Sequence, residues 1–191
     1  MLKIRQSGYI LRFYRSNLSE QLWIDPRMRE QALEFFHLYV TEGDCILDVG
    51  ANVGDTALVC ALEAGPSGKV WAIEPHPTTF QYLRGNIELN GIRNICAVNV
   101  AAGGSAGTIS FGNDRRDDMN RVGESGISVT MKRIDDIVPA DCTFALLKID
   151  IEGYELHALA GARRVLEQTR CIYFEVSQLL CKGLGIRSQI F

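Results

Sequence analysis

Long apolar runs are missing from this chain. Although 47% of its 191 residues are hydrophobic, no stretch approaches the roughly 20 consecutive apolar residues that a membrane-spanning helix needs. Charge of one sign is also scarce. Twenty Lys and Arg stand against 23 Asp and Glu, for a net charge of -3. No electrostatic footprint for nucleic acid follows from such totals, so a small or neutral partner and no nucleic acid are expected. The six cysteines, at 45, 60, 96, 142, 171 and 181, include no Cys-x-x-Cys pair, the spacing of zinc knuckles and thiol redox motifs. Several sit inside apolar runs as small hydrophobes do, and free thiols in a reducing cytosol are expected. From Met1 to Arg15 basic residues are scattered without an apolar core of signal-peptide length; a cytoplasmic protein is the expectation. Internal repeats and low-complexity tracts are absent too.

Against these absences one stretch stands out: Ile46-Leu47-Asp48-Val49-Gly50-Ala51-Asn52-Val53-Gly54-Asp55, followed one helix-length later by Val70-Trp71-Ala72-Ile73-Glu74-Pro75. A short apolar strand ends at Gly50, the chain turns, and a helix starts near Asp55 with its unpaired N–H groups facing the turn. Gly50 and Gly54, lacking Cβ atoms, are expected to let backbone approach a ligand. Glu74, at the end of the next strand, stands where a carboxylate accepts hydrogen bonds from both hydroxyls of a ribose. The spacing disfavours a dinucleotide: a fingerprint aligned on Gly50 needs glycines at 50, 52 and 55, and this chain has Gly50, Asn52 and Asp55. Acidic Asp48 and Asp55 suit a cationic ligand better than a pyrophosphate. S-adenosylmethionine, with a sulfonium, an ammonium and no phosphate, fits that description. Asp48, Gly50, Ala51, Asn52, Gly54, Glu74 and Pro75 are therefore the candidate cofactor contacts, with Ala101 after the third strand. That strand ends without a carboxylate for the adenine amino group, so apolar walls and backbone are expected to hold adenine.

Strands are predicted at about 45–49, 70–73, 95–100, 145–150 and 171–176. Helices are predicted at about 27–40, 55–63, 78–89 and 154–167, with inward faces at Ala32, Leu33, Phe36 and Tyr39; at Phe80, Leu83 and Ile87; and at Leu156, Leu159, Ala160 and Val165. Alternating strands and helices imply an α/β, doubly wound, mostly parallel sheet. Between Gly103 and Gly126 a long Gly- and Asp-rich connection with β-like flanks predicts an inserted hairpin or loop, and its charge run at 114–118 is either a solvated surface or a lid. Residues 1–41 are expected to form a cap segment and helix, and 42–191 the cofactor-binding domain.

The Asp-Val-Gly-Ala-Asn-Val-Gly run, the Glu74-Pro75 pair and Leu147-Lys148-Ile149-Asp150-Ile151-Glu152-Gly153-Tyr154-Glu155 together resemble the FkbM family of S-adenosylmethionine-dependent methyltransferases, over roughly Glu42 to Ser177. The resemblance implies a class I methyltransferase fold and O-methylation of hydroxyls on sugars, glycans or secondary metabolites. After Val176 only Ser177 to Phe191 remain, too few for the usual last helix and antiparallel strand pair, so that pair is expected to be missing or incomplete.

In a sheet of order 3-2-1-4-5 the ligand lies where the order reverses, between strands one and four. The Gly50 turn and Asp150 should then face each other. Lys148, Asp150 and Glu152 alternate with isoleucines and would share one side if the strand continued. One reading makes them the catalytic group, with Asp150 as base or acceptor-orienting carboxylate, tuned by Lys148; the other is a Lys148–Asp150 or Lys148–Glu152 ion pair that merely finishes the strand. Metal-free chemistry is preferred over a cation held by Asp150 and Glu175. His76 is expected to cap a helix. No Asn/Asp-Pro-Pro-aromatic segment follows strand four and no cysteine follows a proline, which argues against nucleobase amino and C5-pyrimidine methylation. A hydroxyl acceptor on a small molecule or glycan remains, with a non-catalytic or truncated S-adenosylmethionine-binding domain as the alternative. Oligomeric state is not legible.

Overall fold

The computed structural model describes residues 2–112, 122 and 126–174. Strands β1 (Lys3–Arg5) and β2 (Ile10–Arg12) pair antiparallel, and helices α1 (Asn17–Ile24) and α2 (Glu30–Tyr39) follow. Ser16 starts α1 because its hydroxyl accepts the Ser19 amide at 3.1 Å, satisfying a donor the first turn leaves over. Leu11, Leu22, Leu33 and Phe36 of this segment are buried in one cluster with Ile46, Leu58, Val70 and Leu146. Ala32, expected inward, is exposed, because Leu33 and Phe36 set the buried face of α2.

The central sheet is made of β3 (Cys45–Val49), β4 (Lys69–Ile73), β5 (Ile95–Val98), β9 (Phe144–Ile149) and β10 (Thr169–Phe174). All pairs are parallel and the order is β10-β9-β3-β4-β5. Counting only these strands along the chain and reading from the other edge, that is 3-2-1-4-5. Residues beyond Phe174, where a further strand pair was at issue, lie outside the described residues. Leu146 and Leu147 are fully buried on opposite faces of β9, as a strand covered on both sides demands. Helices α3 (Asp55–Glu63) and α4 (Pro77–Leu89) make the first two crossovers. Val49 of β3 pairs with both Ile73 and Ile149, so three strand ends stand level where the sheet order reverses. That is where a crevice opens.

The long insertion contains β6 (Ala101–Ala102), β7 (Gly107–Phe111) and β8 (Ile127–Lys132), then the short helix α5 (Ile134–Ile137). The expected hairpin is present as β7 against β8; β8 also takes β6 as a parallel partner, giving a second, three-stranded sheet. The charge run at 114–118 lies outside the described residues. The single helix expected at 154–167 is two, α6 (Glu155–Ala160) and α7 (Arg163–Glu167). At the break a Cβ on Gly161 would stand 2.0 Å from the Gly103 carbonyl oxygen, so the backbones press together there. The buried face also differs from the expected one: Leu156 is 44% exposed and Ala160 is exposed, whereas Glu155 and Ala158 are buried. Among the described residues no helix is long and apolar enough to cross a membrane. The five described cysteines are free.

Candidate active site

After β3 the chain turns through left-handed φ angles at Gly50 (83°), Asn52 (50°) and Gly54 (95°) before α3 begins. The amides of Gly50 and Ala51 both donate to the Ile73 carbonyl, at 2.9 and 3.0 Å, which pins the turn to the end of β4. A Cβ on Gly50 would lie 1.9 Å from the Asp150 carbonyl oxygen. Only glycine permits this turn to touch the end of β9. Gly54 is not among the residues lining the crevice; a Cβ there would stand 2.6 Å from Cδ1 of Leu83 in α4, so its absence makes room for that side chain.

Glu74 reaches into the crevice from the end of β4. Its Oε2 accepts the Asn52 amide at 3.0 Å and its Oε1 the His76 amide at 2.9 Å. Each carboxylate oxygen has room for a second donor. Burial pushes its pKa up to about 7, against the pull of those two amides. Asn99 ties the third parallel strand to this turn, donating to the carbonyls of Glu74 and Pro75 at 2.8 and 2.9 Å. His76 caps α4, as expected, with Nδ1 accepting the Thr79 amide at 3.4 Å.

Across the crevice stand Lys148, Asp150 and Glu152, all three lining it. The regular alternation that was to align them ends with β9 at Ile149, and Glu152 sits in a left-handed turn at φ 53°. Glu155 steadies that turn by accepting the Gly153 amide at 3.0 Å. Lys148 Nζ donates to the Gly50 carbonyl at 2.9 Å and lies 3.1 Å from Asp48 Oδ1 and 3.5 Å from Asp150 Oδ2. Burial pulls its pKa down, but the carboxylates of Asp48 and Asp150 outweigh that and leave it above the ordinary lysine value. Asp48, expected as a cofactor contact, is fully buried and absent from the crevice lining. It lies in the interior of β3, and its visible work is to anchor Lys148, an ion pair that the strand pattern had offered only for Asp150 or Glu152.

Sequence reasoning missed one wall entirely. Asn17, Leu18 and Gln21 of α1, and Arg29 just before α2, line the crevice beside Asn52 and Thr56. Arg29 Nε lies 3.2 Å from Asp55 Oδ2, and Nη2 is 3.4 Å from the Thr56 hydroxyl. The Tyr9 hydroxyl donates to the other Asp55 oxygen. Burial raises the pKa of Asp55, opposed by Arg29 and by that hydrogen bond. Polar residues on short helices give no sequence signal for such a role, because only tertiary packing brings them to α3. A second, apolar recess continues from the crevice, lined by Ile73, Ala101, Ala102, Phe111, Ile151 and Tyr154. Ala101 lines this recess together with the aromatic rings of Phe111 and Tyr154.

An apolar slot for a base, a carboxylate with spare lone pairs for a diol and further carboxylates for a cationic tail together fit S-adenosylmethionine. A sequence model of the family described as Methyltransferase FkbM domain matches residues 48–183. The chain belongs to the FkbM methyltransferase family. It is a methyltransferase with S-adenosylmethionine as cofactor. The hexuronic acid methyltransferase AglP of Haloferax volcanii is 29% identical over 178 residues, covering 89% of this chain and 72% of that protein. Solved structures with the same fold include a putative rRNA methylase from Clostridium thermocellum, with a TM-score of 0.52 at 13% identity over 82% of this chain and 74% of that one. Another is a precorrin-6y C5,15-methyltransferase from Geobacter metallireducens, with a TM-score of 0.52 at 17% identity over 81% and 66%. The FkbM match begins at Asp48, so the wall carrying Asn17, Gln21 and Arg29 lies outside it.

Proposed function

We propose that this FkbM protein O-methylates a hydroxyl of a sugar, a glycan or a small hydroxylated metabolite, with Asp150 receiving or orienting the acceptor proton. In this reading residues 42–191 are the cofactor-binding unit and 1–41 its cap. The observation that carries it is the facing of Glu74 and Asp150 across one crevice, with the Asp150 side chain 29% exposed and steadied by Lys148 at 3.5 Å. Asn52 and Pro75 line the same space, and Glu152 borders the acceptor side. Likeness to a hexuronic acid methyltransferase over most of the chain supports a sugar-type acceptor.

When bound, S-adenosylmethionine supplies an electrophilic methyl on a sulfonium. The chain's task would then be mainly alignment, holding an acceptor oxygen against the methyl donor. Asp150 would take the proton of that acceptor hydroxyl as the oxygen is methylated. A carboxylate is a weak base toward an alcohol, so the transfer has to accompany attack rather than precede it. Lys148, held by Asp48 and the Gly50 carbonyl, fixes where that carboxylate stands.

The test is Asp150→Asn on a panel of hydroxylated sugars that includes hexuronic acids, read by mass of the methylated product and by calorimetric titration of cofactor. Cofactor affinity should stay within about threefold while turnover falls by about 10²–10⁴. Full turnover in the variant would remove Asp150 from the chemistry, and a wild-type chain that binds cofactor yet methylates nothing on the panel would refute the acceptor class.

A further inference from the structure

We infer that the N-terminal segment is a working part of the cofactor site, and that Arg29 binds the carboxylate of the methionyl tail. This rests on the crevice being the S-adenosylmethionine site, and it goes beyond the family match, which begins nineteen residues further on.

The tail carries an ammonium and a carboxylate beside the sulfonium, and the walls are unequal to them. Among the described residues, Asp55, Glu74, Asp150 and Glu152 line the crevice against two cationic side chains, Arg29 and Lys148. Cationic groups on the ligand have several carboxylates to meet. Its carboxylate has two choices among these described side chains, and Lys148 is committed. Three N–H donors are all an ammonium has, and Lys148 faces the Gly50 carbonyl, Asp48 and Asp150 with its side chain 6% exposed. Arg29 is 28% exposed and brings five donors in a planar fork suited to a carboxylate. Asp55 and Thr56 engage only its Nε and one terminal nitrogen.

Position agrees with charge. Arg29 stands over the first residues of α3, next to the turn from Gly50 to Asn52 that Glu74 fastens down. The N-terminus of α3, a nine-residue helix, adds its own positive end to the same spot. Asp55 explains why the guanidinium stays there: buried, and tied on its other oxygen to Tyr9, it holds Arg29 by one edge. Tyr9, Asp55 and Arg29 thus form a relay of contacts that fastens the cap segment to the start of α3. Asn17 and Gln21 of α1 continue the wall.

The experiment is a calorimetric cycle on the full chain with S-adenosylmethionine and its decarboxylated analogue, which differ only by the carboxylate, for wild type, Arg29→Met and Arg29→Lys. Wild type should prefer the intact cofactor by about tenfold to a hundredfold, the worth of a charge-assisted hydrogen-bonded pair. Arg29→Met should bind the two ligands equally, and Arg29→Lys should recover part of the preference. Loss of affinity for both ligands by the same factor would make Arg29 a packing residue and overturn the inference. So would unchanged cofactor affinity with a raised KM for acidic acceptors, which would put Arg29 on the acceptor instead. Should wild type bind neither ligand, the cofactor assignment itself falls. Should Arg29→Met fail to fold, Arg29→Lys decides, since a merely structural cation would leave the preference intact.

Discussion

Replacing Glu74 by Gln separates what its charge does for the cofactor from what its burial costs the fold. The carboxylate is 6% exposed, accepts two backbone amides, and has a pKa pushed by burial to about 7 from an ordinary 4.5. Unfolded chains lose that proton near 4.5 and the folded chain near 7. The native state therefore holds more protons in this window, and the group's contribution to stability, full below about 4.5, is lost as pH rises to about 7. At 1.36 kcal/mol per unit that is about 3 kcal/mol. A ribose diol donating to Glu74 favours the ionised form and pulls the pKa back down. Cofactor binding near pH 6 should thus release close to one proton, and affinity should climb about tenfold per pH unit up to about 7 and then level off. Glu74→Gln should bind S-adenosylhomocysteine more weakly by about 2–4 kcal/mol, thirtyfold to a thousandfold, with no such pH dependence. Titration calorimetry in buffers of different ionisation enthalpy counts the proton directly, and urea unfolding of the apo forms should show wild type losing ground to the variant between pH 5 and 8. A flat affinity profile in wild type, or a variant that binds normally, would refute the reasoning.

Three other substitutions probe the packing beneath the site. Lys148→Met strands the Asp48 carboxylate in the core and should cost about 3–5 kcal/mol by urea denaturation; because the native pKa of Lys148 lies above 10.5, its contribution is present at every pH below that value, and the loss should be constant from pH 6 to 9. Asp48→Asn added to it should return part of the loss. Gly54→Ala meets both a φ of 95° and Leu83 at 2.6 Å, so a loss of about 1–3 kcal/mol in stability is expected, with cofactor affinity within threefold. The reverse pattern, stable but unable to bind, would return Gly54 to the ligand contacts.

The parts of the site that lie in one continuous stretch were legible in the sequence. The Gly50 turn, Glu74 at the end of its strand and the Lys148–Glu152 segment are local patterns, set by the period of a strand and by the backbone angles a residue type tolerates. That Gly50 and Asp150 meet also followed, since an alternating α/β chain leaves few topologies. Helix faces fared worse: Leu156 is exposed where Glu155 and Ala158 are buried, and the close contact of Gly161 with Gly103 at the helix break spans distant positions.

What the sequence by itself determined is the alternation of strands and helices along the chain and the chemical character of the crevice, because side-chain periodicity and glycine placement act within a few residues. Tertiary structure alone decided which partner each charge received. Asp48 and Lys148 are a hundred positions apart, and Tyr9, Arg29 and Asp55 come from three separate stretches of the chain. A buried charge takes whatever opposite group packing delivers within a few ångströms, and distance in space is the one quantity that composition and spacing do not encode.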